Sequence, residues 1–213
     1  MLDRRVPLVS VVPTPLEVMD RLGAALGLPA GTLWVKRDDL TGLGGGGNKV
    51  RKLEYLCRDA LDQRCDVLVT GGGRQSNHVR LTVAAANRLG LDCTVVLSSD
   101  PPSTPAGNVL LDELLGAHIV WAGNADYYGT EAAIDAAADA HRAAGRSPYA
   151  IPVGGASTIG ALGYVVAAQE LLDQKAELDL VVVADGSGGT HAGLVAGLGD
   201  HAKVLGVRRR HPP

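Results

Sequence analysis

The sequence predicts an α/β protein in which parallel sheets are flanked by helices. Short, continuously apolar runs recur at 67–70, 93–97, 118–121, 149–153, 180–184 and 204–207, as in strands covered on both faces. Helical stretches at 77–89, 108–115, 129–144, 160–174 and 191–198 fall between them. Glycine or polar turns join the two kinds of element, and this alternation argues for parallel strands joined by crossover helices.

Each element has a local reason. A helix is expected from Asn48 to about Leu61, because Leu53, Leu56, Cys57, Ala60 and Leu61 fall on one face. Asn48 suits its N-cap, since an amide oxygen there can accept from an orphan backbone N–H. Ser76 and Asn77 are candidate caps for the helix at 77–89. Pro101-Pro102-Ser103-Thr104-Pro105 reads as a rigid surface turn before the next helix. Ala136, Ala137 and Ala138 favour the helix at 129–144.

Apolar residues make up 46% of the chain and charged residues 20%, enough for an ordinary core packed with Ala, Val, Leu and Gly, since Phe is absent. A net charge of −3 gives no electrostatic reason to expect nucleic acid or an anionic membrane as partner. Arg208-Arg209-Arg210 reads as a solvated tail. Cys57, Cys65 and Cys93 form no CxxC and no even framework, which fits reduced thiols in a cytoplasmic protein. No signal-like or bilayer-spanning stretch is present, so a soluble intracellular protein is expected.

Twenty-eight glycines exceed the usual share, and their clusters mark three places for chemistry. The first is Gly44-Gly45-Gly46-Gly47-Asn48-Lys49-Val50-Arg51-Lys52. Three cations in a first helical turn oppose the helix dipole at roughly 0.3–1 kcal/mol each, which makes sense if an anion sits there. A mononucleotide P-loop fails, because Asn48 follows Gly47 and Val50 follows Lys49.

The second is Thr70-Gly71-Gly72-Gly73-Arg74-Gln75-Ser76-Asn77-His78, a strand-to-helix junction whose free N–H groups suit a carboxylate or phosphate. Arg74 stands where a nucleophile elbow needs glycine. The third is Gly186-Ser187-Gly188-Gly189-Thr190, small residues able to curl into a phosphate nest. His191 breaks the dinucleotide pattern there, and the two hydroxyls favour a single phosphate. Each segment alone is equally a flexible or tight turn. No HExxH or Cys/His pair has metal-ligand spacing, so no metal is expected.

Taken together, Asn48-Lys49-Val50-Arg51-Lys52-Leu53-Glu54-Tyr55, Gln75-Ser76-Asn77-His78-Val79-Arg80 and Gly186-Ser187-Gly188-Gly189-Thr190-His191-Ala192-Gly193 resemble the D-cysteine desulfhydrase and 1-aminocyclopropane-1-carboxylate deaminase family. Lys36-Arg37-Asp38-Asp39-Leu40 and Ile151-Pro152-Val153-Gly154-Gly155 are similar to family segments in the same order. The resemblance runs from Val9 to about Val207 and implies pyridoxal-phosphate fold type II, the tryptophan-synthase-β-like group. It implies that Lys49 forms the internal Schiff base with pyridoxal 5'-phosphate and moves the substrate proton. Lys52 would reach the cofactor phosphate, Asn77 the pyridine hydroxyl oxygen, and Gly186, Ser187, Gly188, Gly189 and Thr190 would cradle the phosphate. Ser76, Asn77 and His78 would hold the substrate carboxylate, with Ser76 also catalytic.

The implied reaction is α,β-elimination on a small β-substituted amino acid, D-cysteine first. The alternatives are 1-aminocyclopropane-1-carboxylate deamination, cysteate sulfo-lyase activity and, from another class, a non-catalytic module that binds a phosphate ligand. A nucleotide-binding enzyme is a weaker reading, given the failed motifs. Two lobes are expected, a cofactor lobe from 1–53 and 161–213 and a small inserted lobe from 54–160. The family continues past the strand at 204–207, so the resemblance implies a cofactor lobe lacking its C-terminal part. A homodimer is the assembly it suggests.

Overall fold

The computed structural model describes residues 2–208; the expected basic tail lies outside the described residues from Arg209 onward. In chain order the elements are β1 (Leu16–Val18), α1 (Asp20–Ala25), β2 (Trp34–Lys36), α2 (Lys49–Asp62), β3 (Val67–Gly72), α3 (Asn77–Leu89), β4 (Asp92–Leu97) and α4 (Asn108–Leu114). They continue with β5 (His118–Trp121), α5 (Tyr127–Ala143), β6 (Pro148–Ala150), α6 (Thr158–Gln174), β7 (Val181–Ala184), α7 (Gly189–Leu198) and β8 (Val204–Val207).

The central sheet has the order β5-β4-β3-β6, and all its pairs are parallel. Every residue of β3 is buried. Its alternation divides the core. Val67 and Val69 join Val96 against Ile134 and Ala138 of α5, while Leu68 joins Val95 and the buried faces of α2 and α3. Helices therefore cover both faces, which explains why β3 reads as one unbroken apolar run.

The second parallel sheet, β7-β8, departs from that expectation. Val181, Val183 and Val204 pack with Tyr164, Ala168 and Leu194 of α6 and α7, but Val182 and Leu205 are exposed. Helices α6 and α7 lie on one face only, so two of the six predicted strands are covered on one side among the described residues. The run at 149–153 is also shorter than expected. Pro152 has no N–H to give a ladder, β6 ends at Ala150, and a 3₁₀ turn follows at Val153–Gly155.

Helix α2 joins the two regions, packing against α3 on one side and α6 on the other. It holds nine buried residues, three of them charged: Arg51, Lys52 and Glu54. Glu54 anchors the N-terminal segment, accepting from the N–H groups of Leu8 and Val9 at 2.9 and 3.0 Å.

Candidate active site

The N-terminal end of α2 meets the starts of α3 and α7 through one side chain. Asn48 precedes α2 with helical backbone angles (φ −58°, ψ −23°) and makes no capping hydrogen bond. The expected cap is thus corrected: a capping side chain needs an extended backbone at that position to turn back onto the first N–H groups. Its Oδ1 accepts instead from Asn77 Nδ2 at 3.0 Å and faces Lys49 Nζ at 3.3 Å, and its Nδ2 donates to Thr190 Oγ1 at 3.2 Å.

The first-turn cations diverge. Arg51 is 2% exposed and forks onto both oxygens of Asp38 at 2.9 and 2.8 Å and both of Glu170 at 3.0 and 2.9 Å. Burial opposes its charge, but the Glu170 and Asp38 hydrogen bonds raise its pKa above the usual arginine range. The Tyr164 hydroxyl donates to Asp38 Oδ2 at 2.7 Å, and Lys36 Nζ reaches Glu170 Oε1 at 2.5 Å. Burial acts against Glu170 ionising, yet Arg51 and Lys36 take its pKa down to about 2.

Lys52 is fully buried and donates to the carbonyl of Gly154 at 3.1 Å. Neither Lys49 nor Lys52 has an ion-pair partner among the described residues. Burial lowers the pKa of Lys49. Burial first, then the neighbouring Lys49 charge, takes Lys52 down to about 7, against an opposing pull from Asp185.

At the start of α3, Ser76 is the N-cap, and its Oγ accepts from the N–H of Val79 at 3.3 Å. The N–H groups of Asn77 and His78, in the orphan first turn, are left facing outward from the helix end. Asn77 Oδ1 accepts from Arg80 Nη2 at 3.2 Å. Arg80, 8% exposed, also donates to the carbonyls of Gly44 and Gly46, clamping the glycine turn before α2.

His78 is 2% exposed. The Thr70 hydroxyl donates to the Ile151 carbonyl at 2.9 Å, so His78 Nε2, 2.9 Å from the same hydroxyl, is the donor of that pair. Burial, then the charges of Lys49 and Lys52, drops its pKa to about 3 and keeps the ring neutral. The side chain is thus a buried support with Nε2 spent on Thr70, which leaves the backbone N–H as its route to a substrate carboxylate. Only its backbone N–H stays at the helix mouth.

The third segment lies between β7 and α7. Gly188 adopts a left-handed φ of +81°, which glycine enters at no steric cost, and nothing lies within 4 Å of a Cβ built at Gly186 or Gly188. The loop thus borders open space. A Cβ at Gly189 would sit 2.7 Å from Lys52 Nζ, so glycine there is what lets the ammonium approach the start of α7. Ser187 lies against Gly154, beside the Lys49 side chain. The structure therefore brings together Lys49, Lys52, Asn77, Ser187, Gly189 and Thr190, with Ser76 and His78 at the adjoining helix mouth.

Sequence reasoning missed Asp38, Glu170 and Arg80 as parts of this arrangement. Arg80 carried a local signal, three residues after Asn77 on one helix. Glu170 carried none, being 119 positions from Arg51.

A family model described as pyridoxal-phosphate dependent enzyme matches residues 8–212. The chain belongs to that family. D-cysteine desulfhydrase of Salmonella paratyphi C (strain RKS4594) is 47% identical over 195 residues, 87% of this chain and 58% of the relative. D-cysteine desulfhydrase of Klebsiella pneumoniae (strain 342) is 44% identical over 207 residues, 92% of this chain and 61% of the relative. A solved structure of an ACC deaminase homologue has a TM-score of 0.85 at 43% identity, over 92% of this chain and 58% of that one. A fungal L-serine ammonia-lyase from Rhizomucor miehei shares the fold, with a TM-score of 0.72 at 20% identity over 92% of this chain and 59% of that one. The chain spans about three-fifths of the length of these curated relatives.

The residues fit the cofactor of this pyridoxal-phosphate-dependent family. Lys49 and Lys52 form no salt bridge among the described residues, and the open loop at 186–189 adjoins them. An aldehyde bearing a phosphate dianion would supply the charge that this donor set lacks.

Proposed function

We propose that this chain carries the cofactor- and substrate-binding residues of a lyase that converts D-cysteine and water to pyruvate, sulfide and ammonia. One observation carries the reading: a half-buried lysine, Lys49, and a buried one, Lys52, neither ion-paired to a carboxylate, stand where three helix starts converge beside an open glycine loop. The names of the curated relatives support D-cysteine as the substrate.

In this reading Lys52, the N–H groups and hydroxyls of the 186–190 loop, and the start of α7 hold the phosphate. Asn77 donates to the pyridine hydroxyl oxygen. Bound there, pyridoxal phosphate supplies an electron sink conjugated to the substrate α-carbon. Lys49 would hold the cofactor, and its amine would act as the base for the substrate α-proton. Burial lowers its pKa, so a larger fraction of the amine is free to do so near neutral pH. The free N–H groups of Asn77 and His78 and the hydroxyl of Ser76 orient the substrate carboxylate. His78, held neutral, adds no charge to the site.

A division into a cofactor lobe (1–53 and 161–213) and a small lobe (54–160) is part of this proposal. It is supported by β3, β4, β5 and β6 pairing, among the described residues, only with one another. A cytoplasmic location is supported by three free thiols, and a homodimer is proposed on the resemblance alone.

The test begins with added pyridoxal phosphate. A visible absorbance band should form, and borohydride reduction should fix the adduct on Lys49, as located by peptide mass spectrometry. Sulfide and pyruvate should appear with D-cysteine, and Lys49→Ala should lower that rate by about 10²–10⁴-fold or more. An adduct on another lysine, or none, would overturn the reading. Ring opening of 1-aminocyclopropane-1-carboxylate is the second reading, favoured by the similarity to the ACC deaminase homologue. Ammonia release from that substrate without sulfide chemistry would promote it.

A further inference from the structure

The hydrogens around Lys49 can be placed one after another. The guanidinium of Arg80 has donors and no acceptor. Its Nη2 lies 3.2 Å from one end of the Asn77 amide, so that end is the carbonyl Oδ1. The other end is the NH₂ group, which donates to Asn48 across 3.0 Å. The atom of Asn48 that receives it is therefore Oδ1, the same atom that faces Lys49 Nζ at 3.3 Å. The remaining group, Asn48 Nδ2, donates to Thr190 Oγ1 at 3.2 Å. An arginine that stays charged at any working pH thus dictates the orientation of two amides, and Lys49 meets an acceptor instead of a competing donor.

We propose that Arg80 is a positioning residue for Lys49, acting through the amide orientations of Asn77 and Asn48. Reversing Asn77 would set its NH₂ group against the guanidinium, two donors face to face in a buried site, which costs more than a bond merely lost. Arg80 is itself fixed by the carbonyls of Gly44 and Gly46, so the glycine turn before α2 sets the whole series. The same orientation leaves Asn77 Nδ2 a donor, as its proposed contact with a pyridine hydroxyl oxygen requires. The proposal rests on the reading of Lys49 given above, but the amide chain belongs to the cofactor-free protein and is tested there.

The decisive measurement is NMR of the side-chain NH₂ groups of Asn48 and Asn77 in the ¹⁵N-labelled, cofactor-free chain. Both pairs should be dispersed and slow to exchange with water. Arg80→Lys keeps the charge but cannot reach Gly44, Gly46 and Asn77 together, and it should speed both exchanges by about tenfold or more. Asn48→Asp retains an acceptor for Asn77, so the Asn77 pair should stay protected in that variant. In the cofactor-loaded protein, the pH midpoint of the visible band should move in Arg80→Lys. It should move less when Asn77→Asp has already removed the amide, a non-additive pair. Unchanged NH₂ exchange in Arg80→Lys, lost Asn77 protection in Asn48→Asp, or strict additivity would each overturn the proposal. A wild type that takes up no pyridoxal phosphate would instead sink the reading of Lys49, and the cofactor-free NMR would still decide the amide chain.

Discussion

Within one turn of α2, adjacent cations meet opposite fates. Arg51 points to the α6 side, where Asp38 and Glu170 each accept two hydrogen bonds from it and Tyr164 completes the shell. Lys49 and Lys52 point to the α7 side and find only an amide oxygen and a peptide carbonyl. One cation is matched by the fold and the other two are not. A buried charge that the chain itself does not match is a place for a ligand of opposite sign. The three positions look alike in sequence, and only their partners separate a structural cation from a binding one.

The largest expected effect comes from the matched side. Arg51→Ala leaves Asp38 and Glu170 facing each other without their shared cation and should cost about 3–5 kcal/mol of unfolding free energy. Denaturant titration of the cofactor-free chain measures it directly. Arg51→Lys should lose less, keeping the charge but not the fork that reaches both carboxylates. A loss no larger than that of an exposed arginine would break the contrast between the two sides.

On the unmatched side the effect should appear in binding. Burial and the Lys49 charge hold the pKa of Lys52 down to about 7 in spite of Asp185, so affinity for inorganic phosphate should fall as pH rises through that value. Lys52→Met should weaken phosphate binding by roughly tenfold, the factor that about 1.4 kcal/mol represents. Lys52→Arg should retain binding and flatten its pH dependence, because the guanidinium does not lose its proton. Calorimetric titration with phosphate checks both. A pH profile unchanged in Lys52→Arg would mean that another group sets it.

Most of the frame was legible because its signals are local. The expected helix at 77–89 and strands at 118–121 and 204–207 are the observed α3, β5 and β8, each announced by its own periodicity or apolar run. The elements β1, α1 and β2 were not foreseen, since segments of three to six residues carry too few positions to show a period. The site was legible in part. Lys49, Asn77 and the 186–190 loop stand in dense motifs, whereas Asn48 was read as a local cap. Its true partner Thr190 lies 142 positions away, a distance no window of sequence spans. The open face of β7-β8 escaped notice for a related reason: an apolar run reports the strand, not what covers it.

A smaller effect separates frame from ligand contact at Ser76. Its hydroxyl already caps α3, so Ser76→Ala should cost about 1 kcal/mol of stability whether or not substrate binds there. Ser76→Asp should retain the cap and place a negative charge beside the proposed carboxylate position. If the hydroxyl also serves the substrate, Ser76→Asp should fold like the wild type and raise KM for D-cysteine. Equal KM values would confine Ser76 to the frame.

The smallest effect is a pH slope in the stability of the cofactor-free chain. Lys52 has a folded pKa near 7, below the ordinary lysine range of the unfolded chain. Between those values the unfolded state binds more protons, so stability should rise with pH from about 7 upward, the direction opposite to that of a matched cation. Arg51 contributes no such slope, and Glu170 acts only in acid. Its depressed pKa gives stability that is complete above the ordinary glutamate range and lost as pH falls toward about 2. Thermal unfolding at successive pH values should show the alkaline rise as a Tm shift of roughly 2–4 °C per pH unit, the amount that about 1 kcal/mol produces in a chain of this size. Lys52→Met should reduce the rise, leaving the part that the lowered pKa of Lys49 contributes. Saturating phosphate should shrink it, because an anion beside Lys52 restores the protonated form. A rise undiminished in Lys52→Met would place the unmatched charge elsewhere in the fold.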